Sequence, residues 1–253
     1  MEYTQYFKNR KILVTGASSG IGEEICLLLS QLGATILLIA RREENLQEVV
    51  KKLSGNYHRY YVFDLKELDR IDDLIKKIVA ENGLIDGFVH SAGVSSSRPL
   101  KMLKPKYLKE VMDVNFASFI ELSRCITRQG SYNPGLSIVA ISSVSSVQGN
   151  QSKTAYCASK AALDAAIRCI AKEFHMKGVR ANSVLPGLIR TALYDTFNEN
   201  SQDSDDAKNI LNRQYLGIGE PIDVANLVIF LLSDLSRFIT GSSIPLDGGR
   251  LSS

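Results

Sequence analysis

Three side chains whose chemistry could move a proton stand at two places in the second half of the chain. Ser143 follows an apolar run, Tyr156 comes thirteen residues later near the start of a long helical pattern, and Lys160 follows four residues on. Residues four apart share a helix face, so the phenol lies beside an ammonium group. An adjacent cation favours the phenolate and lowers the pKa of tyrosine. The spacing therefore predicts a tyrosine general acid or base, although each residue alone is ordinary in an amphipathic helix.

A glycine-rich turn near the amino end is typical of a phosphate-binding site. The apolar run KILVT leads into GASSGIG and then into an apolar-periodic helix. Glycines let the backbone approach a pyrophosphate, and a helix N-terminus directs its free amides at the anion. The predicted contacts are Gly16, Ser18, Ser19, Gly20, Ile21 and Gly22. The spacing differs from GxGxxG, so the placement between a strand and a helix carries the prediction of dinucleotide binding.

Two arginines follow the second strand-like run, ATILLIA, which ends at Ala40. An acidic residue there would bind the 2'-hydroxyl of an adenosine ribose, whereas an arginine would pair with a 2'-phosphate. Arg41 and Arg42 therefore favour NADP over NAD, unless they are simply solvated charges at a helix start. Asp64, after the third run, could face the adenine amino group, and Leu65 beside it completes this predicted part of the cofactor site.

These residues need a sheet edge to bring them together, and the chain alternates short apolar runs with longer helical patterns. The predicted strands are 11–15, 35–40, 59–63, 87–90, 136–142, 180–185 and 243–246; the predicted helices are 21–32, 43–53, 67–81, 107–128, 155–176 and 222–232. This alternation indicates an α/β fold: a three-layer, doubly wound parallel sheet of about seven strands, that is, a Rossmann fold.

Composition narrows the classes of protein. The chain has 253 residues, 45% of them hydrophobic and 23% charged, so we expect one globular domain over 1–253 rather than a disordered or fibrous protein. A net charge of +3 without a basic block argues against nucleic acid as a partner. The first apolar run, Ile12 to Val14, is too short for a signal peptide or a membrane span, so we expect a soluble cytoplasmic protein without a membrane partner.

The sequence also contains four cysteines and one polar segment whose roles have to be assigned. Cys26, Cys125, Cys157 and Cys169 lack metal-ligand spacing, so we predict no metal site and reduced thiols in the core. Residues 191–219 are polar, acidic and irregular in periodicity. They could form a mobile flap over a substrate or an ordinary surface loop.

Several motifs in this order resemble the short-chain dehydrogenase/reductase family from about Arg10 to Gly249. TGASSGIG at 15–22 resembles TGxxxGxG, HSAG at 90–93 resembles NNAG, and YCASK at 156–160 resembles YxxxK. Asn115 in MDVNFAS resembles the helix asparagine of the family, and Ser143 its serine. NSVLPGLIRT at 182–191 and ITGSSIPLDGG near the end resemble the stretch flanking the nicotinamide and the last strand.

The resemblance implies a mechanism and further contacts. Ser143 and Tyr156 would hydrogen-bond a substrate carbonyl, and Tyr156 would deliver the proton. Lys160 would bind the nicotinamide ribose, and Asn115 would hold a water that links Lys160 to solvent. Further cofactor contacts would come from Ser91, Ala92, Gly93, Tyr156, Pro186, Gly187, Ile189 and Thr191, and the flap 191–219 would close over the substrate. The expected function is NADPH-dependent reduction of a ketone or aldehyde to an alcohol.

The resemblance leaves alternatives open. His90 and Ser91 replace the two asparagines of NNAG, so the hydrogen bonds beneath the cofactor must differ; we predict a structural role for His90. The 3-oxoacyl-carrier-protein reductases look nearest, but Pro134 replaces a basic residue expected near the rim of their active site, whereas Lys177 keeps a second one. A sugar, steroid or alcohol dehydrogenase working oxidatively, or a non-catalytic NADP sensor, remains possible. The resemblance also implies a homodimer or homotetramer.

Overall fold

The described residues form one seven-stranded parallel sheet. In the computed structural model these are residues 3–95, 97–192, 194 and 212–252. The strands are β1 Lys11–Thr15, β2 Thr35–Ala40, β3 Arg59–Val62, β4 Ile85–His90, β5 Tyr132–Ile141, β6 Arg180–Pro186 and β7 Ser243–Leu246, in the spatial order β3-β2-β1-β4-β5-β6-β7. The predicted Rossmann fold is confirmed.

Helices connect the strands and cover both faces of the sheet. They are α1 Thr4–Phe7, α2 Gly20–Gln31, α3 Glu43–Lys52, α4 Ile71–Asn82, α5 Pro105–Met112, α6 Ser118–Ile126, α7 Thr154–Phe174 and α8 Pro221–Leu232. Successive strand residues point to opposite faces. In β1, Ile12 and Val14 pack with α2, α3 and α8, whereas Leu13 packs on the other face with α4, α6 and α7. Each core is therefore closed by its own helical layer.

Two predicted elements differ in detail from the structure. β5 begins at Tyr132 rather than 136, because the Asn-Pro-Gly segment that resembles a turn continues the strand with Pro134 exposed. The predicted helix 107–128 consists of α5 and α6 joined by a π-helical turn, Asp113–Ala117. A π turn adds a residue within a continuous helix, and such turns are common at functional sites.

The carboxyl ends of the central strands meet at one edge of the sheet. Thr15 of β1 lies opposite His90 of β4, and His90 lies opposite Ala140 of β5. The strand order reverses between β1 and β4, which is where open α/β sheets bind their ligands. The glycine-rich turn, the segment after His90 and Ser143 all leave the sheet at this edge.

The cysteine prediction is only partly correct. Cys26 and Cys125 are buried, but Cys157 is half-buried and Cys169 is exposed, because it lies on the outer face of α7. All four thiols are free. Across the described ranges, no helix is long and apolar enough to cross a membrane, and no group of three or more His, Cys, Asp or Glu is placed to hold a metal ion.

Candidate active site

The glycine-rich turn is built so tightly that side chains would not fit. A Cβ atom on Gly16, whose φ is +66°, would lie 2.7 Å from the backbone nitrogen of Ala92. A Cβ on Gly22 would overlap the carbonyl oxygen of Gly16. The turn ends at Ser19, whose side chain does not cap α2. The first amides of this twelve-residue helix therefore receive no hydrogen bond from the Ser19 side chain, which is the arrangement that dinucleotide binding requires.

Replacing Gly22 by Ala should destabilise the protein by about 1–3 kcal/mol and weaken cofactor binding, because its methyl group would push against the backbone of Gly16. Urea unfolding and titration with NADPH would measure the two effects. Gly149→Ala is the matched control, since Gly149 is exposed and has no atom within 4 Å of an added Cβ. Equal stability of the two variants would contradict the close approach.

The residues predicted to bind adenosine lie at the ends of β2 and β3. Arg41 and Arg42 are exposed at the start of α3, whose N-cap is Arg42. Asp64 is half-buried and accepts a hydrogen bond from the backbone nitrogen of Lys66 at 3.1 Å, so part of its carboxylate stabilises a turn. Leu65 is buried at 6% exposure. The two arginines are thus positive charges that solvent reaches at the end of β2.

Asn115 joins the loop after β4 to α7. It lies in the π turn and is fully buried. Its Oδ1 accepts from the backbone nitrogen of Val94 at 2.8 Å, and its Nδ2 donates to the carbonyl oxygen of Val94 at 3.0 Å and to Ser159 Oγ at 3.0 Å. One lone pair of Oδ1 is left for a water. Ser159 was not predicted from the sequence, although a small polar residue three positions after Tyr156 is the signal that could have identified it.

Ser143 and Tyr156 meet above the end of β5. Ser143 is buried, and its Oγ accepts from the backbone nitrogen of Ser145 at 3.1 Å. Burial raises the pKa of Tyr156, and the neighbouring Ser143 hydroxyl group opposes that rise. The predicted lowering of this pKa by Lys160 is wrong for the protein alone. The Lys160 Nζ lies 5.8 Å from the centre of the Tyr156 ring and donates instead to the carbonyl oxygen of Ile141 at 2.7 Å.

Lys160 is a buried ammonium group beneath the loop after β4. Its side chain is 4% exposed, and a Cβ on Gly93 would lie 3.4 Å from its Nζ. Burial lowers the pKa of Lys160 to about 8, and the negative charge of Asp164, one helical turn later, opposes this shift. The group therefore still carries its charge at pH 7.

His90, for which we predict a structural role, lies inside the sheet. The side chain is fully buried, and its Nδ1 lies 3.0 Å from Thr15 Oγ1. Burial, with a smaller contribution from the charge of Lys160, lowers the pKa of His90 to about 3. A histidine that stays neutral across the physiological range does not titrate as an acid or base there. Thr15 Oγ1 in turn accepts from the backbone nitrogen of Ala92 at 3.4 Å, so the pair supports the loop that contains Ser91, Ala92 and Gly93.

The segment after β6 packs against the glycine-rich turn. A Cβ on Gly20 would lie 3.2 Å from the methyl group of Thr191. Pro186 is the last residue of β6. The backbone nitrogen of Gly187, which follows it, donates to the carbonyl oxygen of Leu246 at 3.0 Å. The structure thus brings the predicted nicotinamide-side residues to the same edge as the phosphate turn.

The base of the predicted flap is closed by a buried glutamine. Gln214, 4% exposed, accepts from the backbone nitrogen of Leu188 at 2.8 Å and donates to the carbonyl oxygen of the same residue at 3.0 Å. Ile189 forms a bridge with Gly219. The predicted flap 191–219 lies outside the described residues at 193 and 195–211.

Pro134, the position expected near the rim of the active site, does not lie there in the structure. Pro134 is part of β5 near its amino end, and with Lys177 it lines a cavity of about 300 Å³ at the opposite edge of the sheet from Ser143. Within one chain, these two residues are therefore remote from Tyr156. A docking site for an acyl carrier at the active-site rim cannot use them in the same chain.

Comparison with known proteins matches almost the whole chain. The sequence profile of a family described as enoyl-(acyl carrier protein) reductase matches residues 16–250. The chain is 35% identical to L-xylulose reductase of Caenorhabditis elegans over 247 residues, which is 96% of both chains. It is 34% identical to 3-oxoacyl-(acyl-carrier-protein) reductase FabG of Thermotoga maritima over 240 residues, 94% of this chain and 96% of the relative.

Solved structures have the same architecture. A dehydrogenase/reductase from Sinorhizobium meliloti 1021 superposes with a TM-score of 0.90 at 30% identity, over 99% of this chain and 98% of that one. The aldohexose dehydrogenase of Thermoplasma acidophilum superposes with a TM-score of 0.86 at 26% identity, over 97% of this chain and 95% of that one. These two solved structures therefore have the same fold as this chain over nearly its whole length.

Proposed function

Because this chain belongs to the short-chain dehydrogenase/reductase family, an oxidoreductase family that uses a nicotinamide cofactor, we propose that it is an NADPH-dependent reductase of ketones or aldehydes. The observation that carries the proposal is the meeting of Ser143, Tyr156 and Lys160 at the sheet edge that also bears the phosphate-binding turn. A binding module would need the turn but not the acid–base group beside it.

The residues at this edge fit a dinucleotide. Gly16 and Gly22 leave a turn that side chains would fill, and the first amides of α2 face it. We assign the pyrophosphate to this turn and the nicotinamide ribose to Lys160. When bound, the cofactor supplies the hydride. Ser91, Ala92 and Gly93 would line the floor between these two sites, with Ile189 and Thr191 on the nicotinamide side.

The chain's own contribution is to orient the carbonyl and supply a proton. Ser143 and the Tyr156 hydroxyl would donate hydrogen bonds to the carbonyl oxygen, which stabilises the negative charge that develops there. Tyr156 then transfers its proton to that oxygen, and its raised pKa keeps it protonated until it is needed. Lys160 stabilises the resulting phenolate, and the free lone pair of Asn115 Oδ1 could hold a water that restores the proton.

A panel of carbonyl compounds, followed by NADPH absorbance, tests the reductase. The panel should include L-xylulose and a 3-oxoacyl thioester, which the names of two relatives suggest. We expect turnover of at least one compound. NADPH binding without turnover of any compound would favour the non-catalytic sensor. Faster oxidation of the corresponding alcohol with NADP at neutral pH would favour the oxidative alternative.

The kcat/KM for NADPH should fall as the pH rises through about 8. Burial lowers the pKa of Lys160 to about 8, so its charge is present below that pH and is lost above it. Tyr156, whose pKa is raised, stays protonated across this range. Initial rates at a series of pH values would show the loss, because kcat/KM reports the free enzyme.

Lys160→Arg separates Lys160 from other titrating groups, because arginine keeps its charge well above that pH. The alkaline fall should then move upward, whatever the rate at the plateau. A fall that stays at about pH 8 in the variant would assign it to a different group.

The proposal includes a cytoplasmic location and a homodimer or homotetramer. Four free thiols suit a reducing compartment. Among the described strands β7 pairs with β6 alone, and such an open edge is suited to packing against a second copy. Light scattering of the purified protein would give the number of copies, and a monomer would contradict this part of the proposal.

A further inference from the structure

A third side chain belongs to the helix face that bears Tyr156 and Lys160. Lys153 is the N-cap of α7, and its carbonyl oxygen accepts the first helical hydrogen bond from Cys157 at 2.8 Å. Positions 153, 156 and 160 have the spacing i, i+3, i+7, which follows one face of a helix. Lys153 therefore stands about one turn before Tyr156, on the side away from Lys160.

The ammonium group of Lys153 reaches the loop that borders the site. Its Nζ donates to Ser95 Oγ at 3.0 Å. Ser95 follows Val94, which Asn115 holds, and Gly93, which lies against Lys160. Lys153 is half-buried, and burial lowers its pKa. No described carboxylate forms an ion pair with it.

A second cation lies beside it. The backbone nitrogen of Arg98 donates to the carbonyl oxygen of Ser152 at 2.7 Å, which places Arg98 next to the residue before Lys153. Its guanidinium carbon lies 3.7 Å from the centre of the Tyr107 ring. Its Nε is buried and has no hydrogen-bond partner in the part of the chain that the structure describes. A buried donor without a partner costs free energy, and an acceptor on a bound ligand would remove that cost.

Lys153 and Arg98 are half-buried, whereas Lys101, Lys104 and Lys106, which also form no ion pair with a described acid, are exposed to solvent. Two cations of the neighbouring helices have acidic partners. Lys109, on α5, pairs with Asp113 at 2.6 Å, and Arg124, on α6, pairs with Glu121. Within the described ranges, the side chain of Lys153 contacts a hydroxyl group and that of Arg98 an aromatic ring, and neither forms an ion pair with an acid. Half-buried positive charges without an acidic partner attract an anion.

We propose that the substrate of this reductase carries an anionic group, a carboxylate or a phosphate, which Lys153 and Arg98 bind while Tyr156 holds the carbonyl. The inference rests on the proposed function and adds the class of substrate. We assign the anion to the substrate rather than to the cofactor. The groups proposed to bind the cofactor phosphates are the glycine-rich turn, which follows β1, and Arg41, which follows β2. Lys160 and Tyr156 stand between those cofactor groups and Lys153.

Substrate pairs that differ only in charge test the inference. Acetoacetate is compared with its methyl ester, and dihydroxyacetone phosphate with dihydroxyacetone, each with NADPH. We expect kcat/KM to be about 10- to 100-fold higher for the anionic member of at least one pair, the range of a charged hydrogen bond. The pair that shows the preference identifies the anion as carboxylate or phosphate.

Variants of Lys153 give the second arm. Lys153→Gln should lower kcat/KM for the anionic substrate about tenfold or more and change that of its neutral partner by less than about twofold. Lys153→Arg should restore the preference, because it keeps the charge. Lys172→Gln, an exposed lysine near the far end of the same helix, is the matched control. An unchanged NADPH affinity shows that each variant is folded.

The outcomes separate the two proposals. Equal rates for charged and neutral members, equal losses for both in Lys153→Gln, or reduction of other carbonyl compounds but of neither pair would overturn the anion site and leave the reductase standing. Absence of turnover for every carbonyl compound tested would overturn the proposed function, and the anion site with it.

Discussion

Tyr156→Phe should lower kcat for carbonyl reduction by about 100- to 10,000-fold, the usual contribution of a positioned proton donor. The phenyl ring keeps the packing, and only the hydroxyl group that meets Ser143 is lost. The affinity for NADPH should change by less than about twofold, because the phosphate turn and Lys160 are untouched. Stopped-flow or steady-state absorbance would give kcat, and fluorescence titration would give the affinity.

The control for this substitution is Tyr57→Phe. Tyr57 is 78% exposed and precedes the start of β3, whereas Ser143 follows the end of β5, so its loss of a hydroxyl should leave kcat unchanged. Ser143→Ala should lower kcat less than Tyr156→Phe, since Tyr156 would still donate to the carbonyl oxygen. Turnover by Tyr156→Phe at more than about a tenth of the normal rate would remove Tyr156 from the role of proton donor.

The central strands are the elements that the sequence predicts best, because strands buried on both faces appear in the sequence as continuous apolar runs. β1 and β2 consist of continuous apolar runs with both faces covered, and their predicted limits agree with the structure at every residue. β5 is less certain from sequence, since Asn133, Pro134 and Gly135 resemble a turn. Their place in the strand depends on β4, where Ile85 pairs with Tyr132, and that contact is not local.

Chemistry that depends on residue type could be predicted, whereas chemistry that depends on packing could not. The placement of Tyr156 beside Lys160 follows from helical spacing. The direction of the Tyr156 pKa shift does not, because burial by the surrounding chain raises this pKa more than the neighbouring Ser143 hydroxyl group lowers it. The contact between Lys153 and Ser95 spans 58 positions, so no local pattern announces it.

Arg41→Asp should weaken NADPH binding far more than NADH binding. Arg41 is exposed at the end of β2, and we propose that it pairs with the 2'-phosphate that distinguishes the two cofactors. Loss of a hydrogen bond to a charged group costs about 1.5–3 kcal/mol, which corresponds to about 10- to 100-fold in affinity. An aspartate adds repulsion of the phosphate and can accept from a 2'-hydroxyl, so NADH binding should hold or improve.

Two further substitutions decide which charge recognises the phosphate. Arg41→Gln removes attraction without adding repulsion, so its loss of NADPH affinity should be smaller than that of Arg41→Asp. Arg42→Gln is the matched substitution at the neighbouring residue, the N-cap of α3. The change in NADPH affinity that it causes measures the effect of losing a nearby positive charge. Titration of each variant with both cofactors gives the ratio of affinities. Equal losses for NADPH and NADH in Arg41→Asp would mean that Arg41 does not bind the 2'-phosphate, and the preference for NADP would then need another source.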